Sequence, residues 1–475
     1  MNKFKLILTL FLAALLFGCS EDVMDEINEG QSSNEPTEMT ADNMLPDIMM
    51  KSGYETAATD IAWYASVYIE HNAGVWNQLF QADNRQGQQS ASLMNNSWNS
   101  IYDVMNICNT VLERTNPETG EEPLNYSARG IAQAMMAYNL GVTVNMWGDA
   151  PYEEAFQGND NLKPKYDKAE DLYTEVHALL DSSIANLNRA GSIGADDFFY
   201  DGNINQWIRA AYALKARYSI MLTNVNGNSA AQDALDAINN AFQSPADNMT
   251  LDVYGAYPDW NPWYTFYYNR DHHAVSTTFE DVLSTRNDPR IPYLINYDGR
   301  NAAPIGEAEQ NQTKYAKSWI GKSLSYYSPT RIITYHELKF IEAEARFRLN
   351  PGGTAWETAL QEAVEAAFAF IGNTYYGSPI SGATSYFNNE VQPRLTSGNE
   401  LEEIMTQKWI AMFEFRSMIA YNDYRRTGYP EMQNPNNETV GFPHRLPYAL
   451  SETQSNPENV PDVDIYEDKL FWELD

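Results

Sequence analysis

The strongest constraint on this chain is a helix that stops and turns back. Ile333 to Leu349 carries apolar residues at helical spacing, Asn350-Pro351-Gly352-Gly353-Thr354 interrupts it, and Trp356 to Ile371 resumes the same period. Proline cannot continue a helix and glycine suits the position just past a helix end, so the segment predicts two helices folded against each other. Within the first of them, Ile341-Glu342-Ala343-Glu344-Ala345-Arg346 places small alanines where a neighbouring helix can approach closely. A hairpin of this length reads as a tetratricopeptide-like unit. Helical spacing recurs over Leu93 to Leu112, Ala128 to Met146, Ala169 to Leu187, Asn205 to Leu222, Ala230 to Phe242 and Leu401 to Tyr421. No strand-rich block of comparable length interrupts them. The predicted fold class is therefore all-α, a tetratricopeptide-like helical-hairpin scaffold with a loop-rich region. Residues 41–475 read as one domain, with an insertion at about 244–330. Its tail is punctuated by Pro430, Pro435, Pro443, Pro447, Pro457 and Pro461.

The first residues have a different logic. Lys3 and Lys5 precede an apolar run from Leu6 to Phe17 that ends at Gly18-Cys19. About a dozen residues cannot span a bilayer as a helix, so 1–18 reads as a cleaved signal peptide. Cys19 becomes the lipidated first residue of the mature chain. Gly18 suits a lipoprotein signal peptidase, whereas Phe17 is bulkier than the residue usual two places before the cysteine. Residues 19–40 are polar and interrupted by Ser32, Ser33, Asn34 and Pro36, which makes them a flexible lipidated tether.

A net charge of -33 makes the body repel nucleic acid and anionic lipid surfaces, and those partners are excluded. The favoured ligand is neutral or cationic. With Cys19 lipidated, Cys108 has no partner for a disulfide and reads as a small buried residue on a helix. The chain holds 31 tyrosines and 11 tryptophans, more rings than a core of this size demands. Such an excess is what a surface that stacks on flat ligand faces requires.

In the last third, three segments occur in order: Thr406-Gln407-Lys408-Trp409-Ile410-Ala411-Met412-Phe413, Tyr424-Arg425-Arg426-Thr427-Gly428-Tyr429-Pro430, and Pro443-His444-Arg445-Leu446-Pro447-Tyr448 with Glu452 and Asn456-Pro457-Glu458-Asn459. Together with Met146-Trp147-Gly148-Asp149-Ala150-Pro151-Tyr152 and the Ala343-Glu344-Ala345 helix, they resemble the signature segments of SusD/RagB-type outer-membrane lipoproteins, closest to the SusD-like branch. The resemblance implies a surface-exposed, lipid-anchored protein that captures an oligosaccharide and hands it to a TonB-dependent barrel transporter of the SusC-like kind. Oligopeptide is the alternative cargo, because relatives of the RagB kind are associated with peptides. The acidic cluster Glu21, Asp22, Asp25 and Glu26 resembles the export tag of Bacteroidota surface lipoproteins, though an ordinary acidic linker reads the same way. The signature residues themselves read as structural. Arg416, Arg425, Arg426 and Arg445 are suited to fixing loops through carboxylates and carbonyls, and Trp147 and Trp409 sit among apolar neighbours as core.

Neutral sugars are held by rings against their C–H faces and by planar polar groups at their hydroxyl edges. Two loop segments combine both. One runs from Trp76-Asn77-Gln78 to Asp83-Asn84-Arg85-Gln86-Gly87-Gln88-Gln89. The other, Tyr254 to Asn269, packs eight aromatics around Pro258 and Pro262 and is neither alternating nor helical in pattern. The expected ligand contacts are Trp76, Asp83, Asn84, Arg85, Trp260, Trp263 and Tyr264, against the alternative that the rings plug a gap between helices. Asp271-His272-His273 reads as a solvated loop rather than a metal site. No His-Glu-x-x-His, Gly-x-Ser-x-Gly or phosphate-binding glycine loop is present. Neither a cofactor nor a metal nor catalysis is expected, and a glycoside hydrolase, whose carboxylate pair is defined only in space, is the competing class. Replacing Cys19 with Ala should shift the protein from the membrane fraction to the soluble fraction on cell fractionation; unchanged retention would remove the anchor.

Overall fold

The computed structural model describes residues 39–86, 91–191, 197–318, 325–413, 416–435 and 438–474. The signal peptide, Cys19, the tether up to residue 38 and Gly87 to Gln89 lie outside them. The chain enters through α1 (Ala41–Lys51), α2 (Asp60–Tyr68) and α3 (Asn77–Asn84). The scaffold then runs through α4 (Asn95–Arg114), α5 (Tyr126–Trp147), α6 (Ala169–Leu187), α7 (Ile204–Met221) and α8 (Asn228–Ile238). After α9 (Pro262–Asn269) and α10 (Thr277–Thr285) come α11 (Tyr335–Leu349), α12 (Ala355–Tyr376), α13 (Glu400–Ala411), α14 (Ser417–Thr427) and α15 (Leu450–Ser455). Each scaffold helix packs on the next, from α4 through α8, and α11 packs on α12. This is an all-α, tetratricopeptide-like stack.

Helix α5 is the spine. Every residue from Ser127 to Trp147 except Arg129 is buried, because α4, α6 and α7 all pack on it. Gly141 allows this: a Cβ there would stand 2.3 Å from the Tyr218 ring of α7, so a side chain would push the two helices apart. Sequence periodicity located these helices closely, and α6 has the predicted ends.

The long segment between α8 and α11 leaves the stack without breaking it, since α8 packs directly on α11. Its two ends are clasped. Strand β2 (Met249–Leu251) pairs antiparallel with β6 (Thr330–Ile333), with Thr250 opposite Arg331. The Asn248 side chain accepts a hydrogen bond from the Tyr335 amide at 2.7 Å, closing the neck at the first turn of α11. Two further antiparallel pairs hold the insertion's body. They are β1 (Asn72–Gly74) with β3 (His273–Val275), and β4 (Ile295–Asn296) with β5 (Lys317–Ser318).

Four expectations are corrected here. Leu401 to Tyr421 is two helices rather than one: α13 ends at Ala411, whose carbonyl accepts from the Arg416 guanidinium at 2.6 Å, and α14 begins at Ser417. The first candidate loop contains α3, and the ring-rich segment contains α9. In the latter, Asn261 is an N-cap whose side chain accepts from the Trp263 and Tyr264 amides, with Pro262 in the first turn. His272 and His273 are buried rather than solvated, and burial pushes their imidazoles down to about 4 and about 3.

The signature residues fasten the tail to the stack. Both guanidinium nitrogens of Arg426 grip the Glu344 carboxylate on α11, and Nη2 also donates to Asp423 at 2.9 Å. Lys408 pairs with Asp423 at 2.7 Å. Arg425 donates to the Asn145 carbonyl at the end of α5. Arg445 donates to the Trp147 carbonyl, while Trp147 Nε1 donates to the Pro447 carbonyl. Burial alone would raise the Glu344 pKa, but Arg426 and Arg348 outweigh it and hold the carboxyl down at about 2. A depressed carboxyl stabilises the fold above its unfolded pKa of 4.5 and loses that contribution as pH falls toward 2. Glu344→Gln should therefore cost about 3–5 kcal/mol in urea unfolding at neutral pH, the cost of stranding a buried charge. The variant should also lose less stability than the parent between neutral pH and pH values below the ordinary carboxylate range; equal losses would contradict this role.

Candidate functional site

Helix α9 carries five rings, and its period divides them between two environments. Residues three and four apart share a face, so Trp263, Phe266 and Tyr267 turn inward together. Trp263 is 0% exposed and stacks on His273 with centroids 5.4 Å apart and planes 15° apart. Phe266 stacks on Trp63 of α2 at 4.0 Å. This inner face, with Ala58 and Ala62, glues the insertion to α2.

Tyr264 and Tyr268 turn outward on the other face, with planes 20° apart and centroids 6.1 Å apart. Trp260, just before the cap, stands at their centre. Its ring lies 5.0 Å from Tyr257, 5.2 Å from Tyr264 and 5.0 Å from Tyr268, in edge-to-face contacts. Tyr326 adds a contact 6.2 Å from Trp260 and 5.6 Å from Tyr264, and Tyr327 packs on Tyr326 at 4.0 Å. Hydrogen bonds hold the two chain segments together: the Asn261 backbone amide donates to the Tyr326 carbonyl and its side-chain Nδ2 donates to the Ser328 carbonyl, both at 2.7 Å. Tyr257 is 77% exposed, Tyr268 67% and Tyr327 51%. Rings packed edge-to-face brace one another at about 0.5–1.5 kcal/mol per pair, so the cluster stays ordered while its outer members face water.

Beside the platform lies a cleft of roughly 530 Å³, with Tyr54, Tyr254, Pro258 and Trp260 among its walls and the exposed Phe198 at its edge. Apolar walls beside exposed tyrosines suit a ligand with C–H faces and hydroxyl edges.

Of the residues expected from the sequence, Trp260 and Tyr264 meet in this platform. Trp263 does not: it is core, on the inner face of the same helix. Trp76 is the cap residue of α3 and is 37% exposed. Asp83, Asn84 and Arg85 form the buried end of α3 and are corrected from ligand contacts to structural residues. Asp83 accepts from the Gly306 amide at 2.8 Å, and burial pushes its carboxyl up to about 7. Asn84 donates to the Phe80 carbonyl, and Arg85 to the Tyr68 carbonyl and the Asn434 side chain. Polar residues crowded in sequence looked like a binding loop because their partners are distant in the chain. Tyr326 and Tyr327 went unrecognised for the same reason, whereas Tyr257 and Tyr268 belonged to the ring-rich stretch without being singled out.

The SusD-like family described as starch-binding and associating with the outer membrane matches residues 33–449. Among solved structures, a SusD/RagB family protein from Bacteroides thetaiotaomicron is 30% identical, with a TM-score of 0.82, over 91% of this chain and 98% of its own. A chitin-binding SusD homolog from Flavobacterium johnsoniae has a TM-score of 0.76 at 17% identity, over 91% of this chain and 98% of its own. A SusD homolog from Bacteroides uniformis has a TM-score of 0.73 at 21% identity, over 91% and 99%. At these two lower identities the likeness is one of fold. No curated protein matches the chain.

Two tryptophans three residues apart should respond oppositely to truncation. Trp263→Ala should cost about 3–5 kcal/mol in denaturant unfolding, as core aromatic truncations do. Trp260→Ala should cost far less, because its neighbours already face solvent. A larger loss at Trp260 than at Trp263 would reverse the assignment of faces.

Proposed function

The chain belongs to the SusD-like family of outer-membrane-associated, starch-binding proteins, and from that premise we propose that it captures a neutral oligosaccharide at the cell surface and hands it to a TonB-dependent barrel. The observation that carries this reading is the outward platform of Trp260, Tyr257, Tyr264, Tyr268, Tyr326 and Tyr327. Sugar rings present apolar C–H faces to such rings, and stacking tolerates rotation and sliding. A capture protein must hold cargo and release it again.

The strongly acidic surface supports neutral cargo over polyanionic cargo. The chitin-binding relative supports a glycan in the same sense. An open ring platform favours sugar over peptide, which would be better served by a closed acidic cleft. Capture needs no covalent step, so the platform's work is to bind and orient.

Attachment through Cys19 would keep the protein beside its transporter while leaving the folded body in water. No helix among the described residues is long and apolar enough to cross a membrane.

Calorimetric titration of the purified protein with maltooligosaccharides and chitooligosaccharides should give a Kd between about 1 μM and 1 mM for at least one series, corresponding to about -8 to -4 kcal/mol. Reducing ends should not increase on prolonged incubation. Release of reducing ends would make the protein a hydrolase, and binding of basic oligopeptides with no sugar binding would make the cargo peptide.

A further inference from the structure

A second cleft, of roughly 460 Å³, opens between α4, the loop that leads from α5 to α6, and α15. None of its lining residues lines the cleft beside the platform. Helix α4 contributes Asn99, Tyr102, Asp103 and Asn106, which share one face because they lie three and four apart. The loop contributes Phe156, Gln157 and the exposed Leu162, and α15 contributes Glu452. Lys51 of α1 reaches Asp103 at 3.8 Å, and no basic side chain is among the described residues that line the cleft.

The walls are fastened before any ligand arrives. The Asp167 carboxylate accepts the Tyr152 and Glu153 amides, both at 2.8 Å. The Tyr102 hydroxyl donates to the Pro151 carbonyl at 2.8 Å, tying helix to loop. Ser451 Oγ donates to Asn99 Oδ1 at 3.0 Å, tying α15 to α4, and Asn456 Nδ2 donates to both the Pro164 carbonyl and Glu452. Within this frame Phe156 is out of place in one respect: its backbone is left-handed, with φ at 61°. A ring-bearing residue resists that conformation, which glycine adopts freely. The fold gives up stability to keep an aromatic ring at this point. Its return in packing is small, since Phe156 meets Tyr102 at 6.4 Å and Tyr152 at 6.3 Å, toward the outer range of ring contacts. Strain of this kind gathers at residues that clamp a ligand.

We propose that this cleft is a second sugar-binding site, separate from the platform, in which a neutral sugar lies against Tyr102 and Phe156 and is bonded at its hydroxyls by Asn106, Gln157 and Glu452. The rings supply apolar faces, and amides suit hydroxyls because each amide group both donates and accepts. Asn106 and Gln157 are exposed and so within reach of an arriving chain. The proposal rests on the glycan-capture reading and adds a second point of attachment to it. Two weak sites on one body hold a polymer far more tightly than a short fragment. Once one is engaged, the other meets its ligand at the high local concentration that the polymer itself provides. Each grip taken singly stays weak enough to release.

Asn106→Trp provides the test, because a bulky ring on this exposed helix position fills the cleft. Affinity electrophoresis through gels containing soluble starch or glycol chitin would compare the parent, Trp260→Ala, and Trp260→Ala combined either with Asn106→Trp or with Asn106→Ala and Gln157→Ala together. Thermal melts of each ligand-free protein accompany them; the alanine pair, which only shortens exposed side chains, decides the matter if the tryptophan perturbs the helix. The expected result is that Trp260→Ala is still retarded by one of the polysaccharides, and that either set of cleft substitutions weakens this residual binding about five-fold or more at an unchanged melting temperature. Loss of all polysaccharide binding in Trp260→Ala alone would overturn the second site and leave the platform standing. Residual binding indifferent to both sets of cleft substitutions would overturn it equally. Absence of binding by the parent to either polysaccharide would overturn the capture reading and the second site with it.

Discussion

The structure depends on a contact between helices that are not neighbours in sequence. Helix α8 packs on α11 across the whole insertion, so the stack of helices is completed only when a long segment has left it and returned. Strands β2 and β6 pair at the point of departure. Closing so long a loop has an entropic cost that grows only slowly with its length, which is why the scaffold tolerates a large insertion. The pairing then fixes the direction in which that insertion projects. The inner face of α9 supplies the second anchor, locking Trp263, Phe266 and Tyr267 against α2 and His273. With one face of α9 committed to the core, the opposite face has to look outward.

Charge fixes what apolar packing leaves free. The tail has little regular structure, and Arg425, Arg426 and Arg445 hold it by taking carbonyls and carboxylates of α5, α11 and neighbouring turns. Arg85 does the same from the other side, reaching Asn434 while paired with Glu438. Paired buried charges contribute less to stability than their short distances imply, because each had to be stripped of water. Their effect here is on register: a planar guanidinium accepts only a few geometries. Neutral contacts would let the tail slide; these fasten it at named atoms.

The scaffold was legible because its helices obey one period and stop at visible signals, as at Asn350-Pro351-Gly352-Gly353 and in the matching ends of α6. The break between α13 and α14 was not legible: the Arg416 side chain takes the Ala411 carbonyl there, a contact that no local pattern announces. Helix α9 does carry a sequence signal, an Asn cap followed by Pro. Once α9 is recognised, helical spacing groups Trp263 with Phe266 and Tyr267 and groups Tyr264 with Tyr268, whereas Trp260 lies before the cap, where no spacing assigns it. Without it the rings are indistinguishable. Asp83, Asn84 and Arg85 misled for a different reason. Polar residues crowd both binding loops and helix ends, and only their distant partners, Gly306 and Asn434, show which they are.

In the proposed function, a fixed scaffold holds one face of α9 in the core so that the other can grip sugar. A crystal structure with a bound oligosaccharide tests it most directly. The expected result is a sugar ring lying flat against Trp260 or Tyr264, with α2, α9 and the helix stack unmoved. Sugar bound in the grooves between scaffold helices, with the ring platform bare, would contradict it.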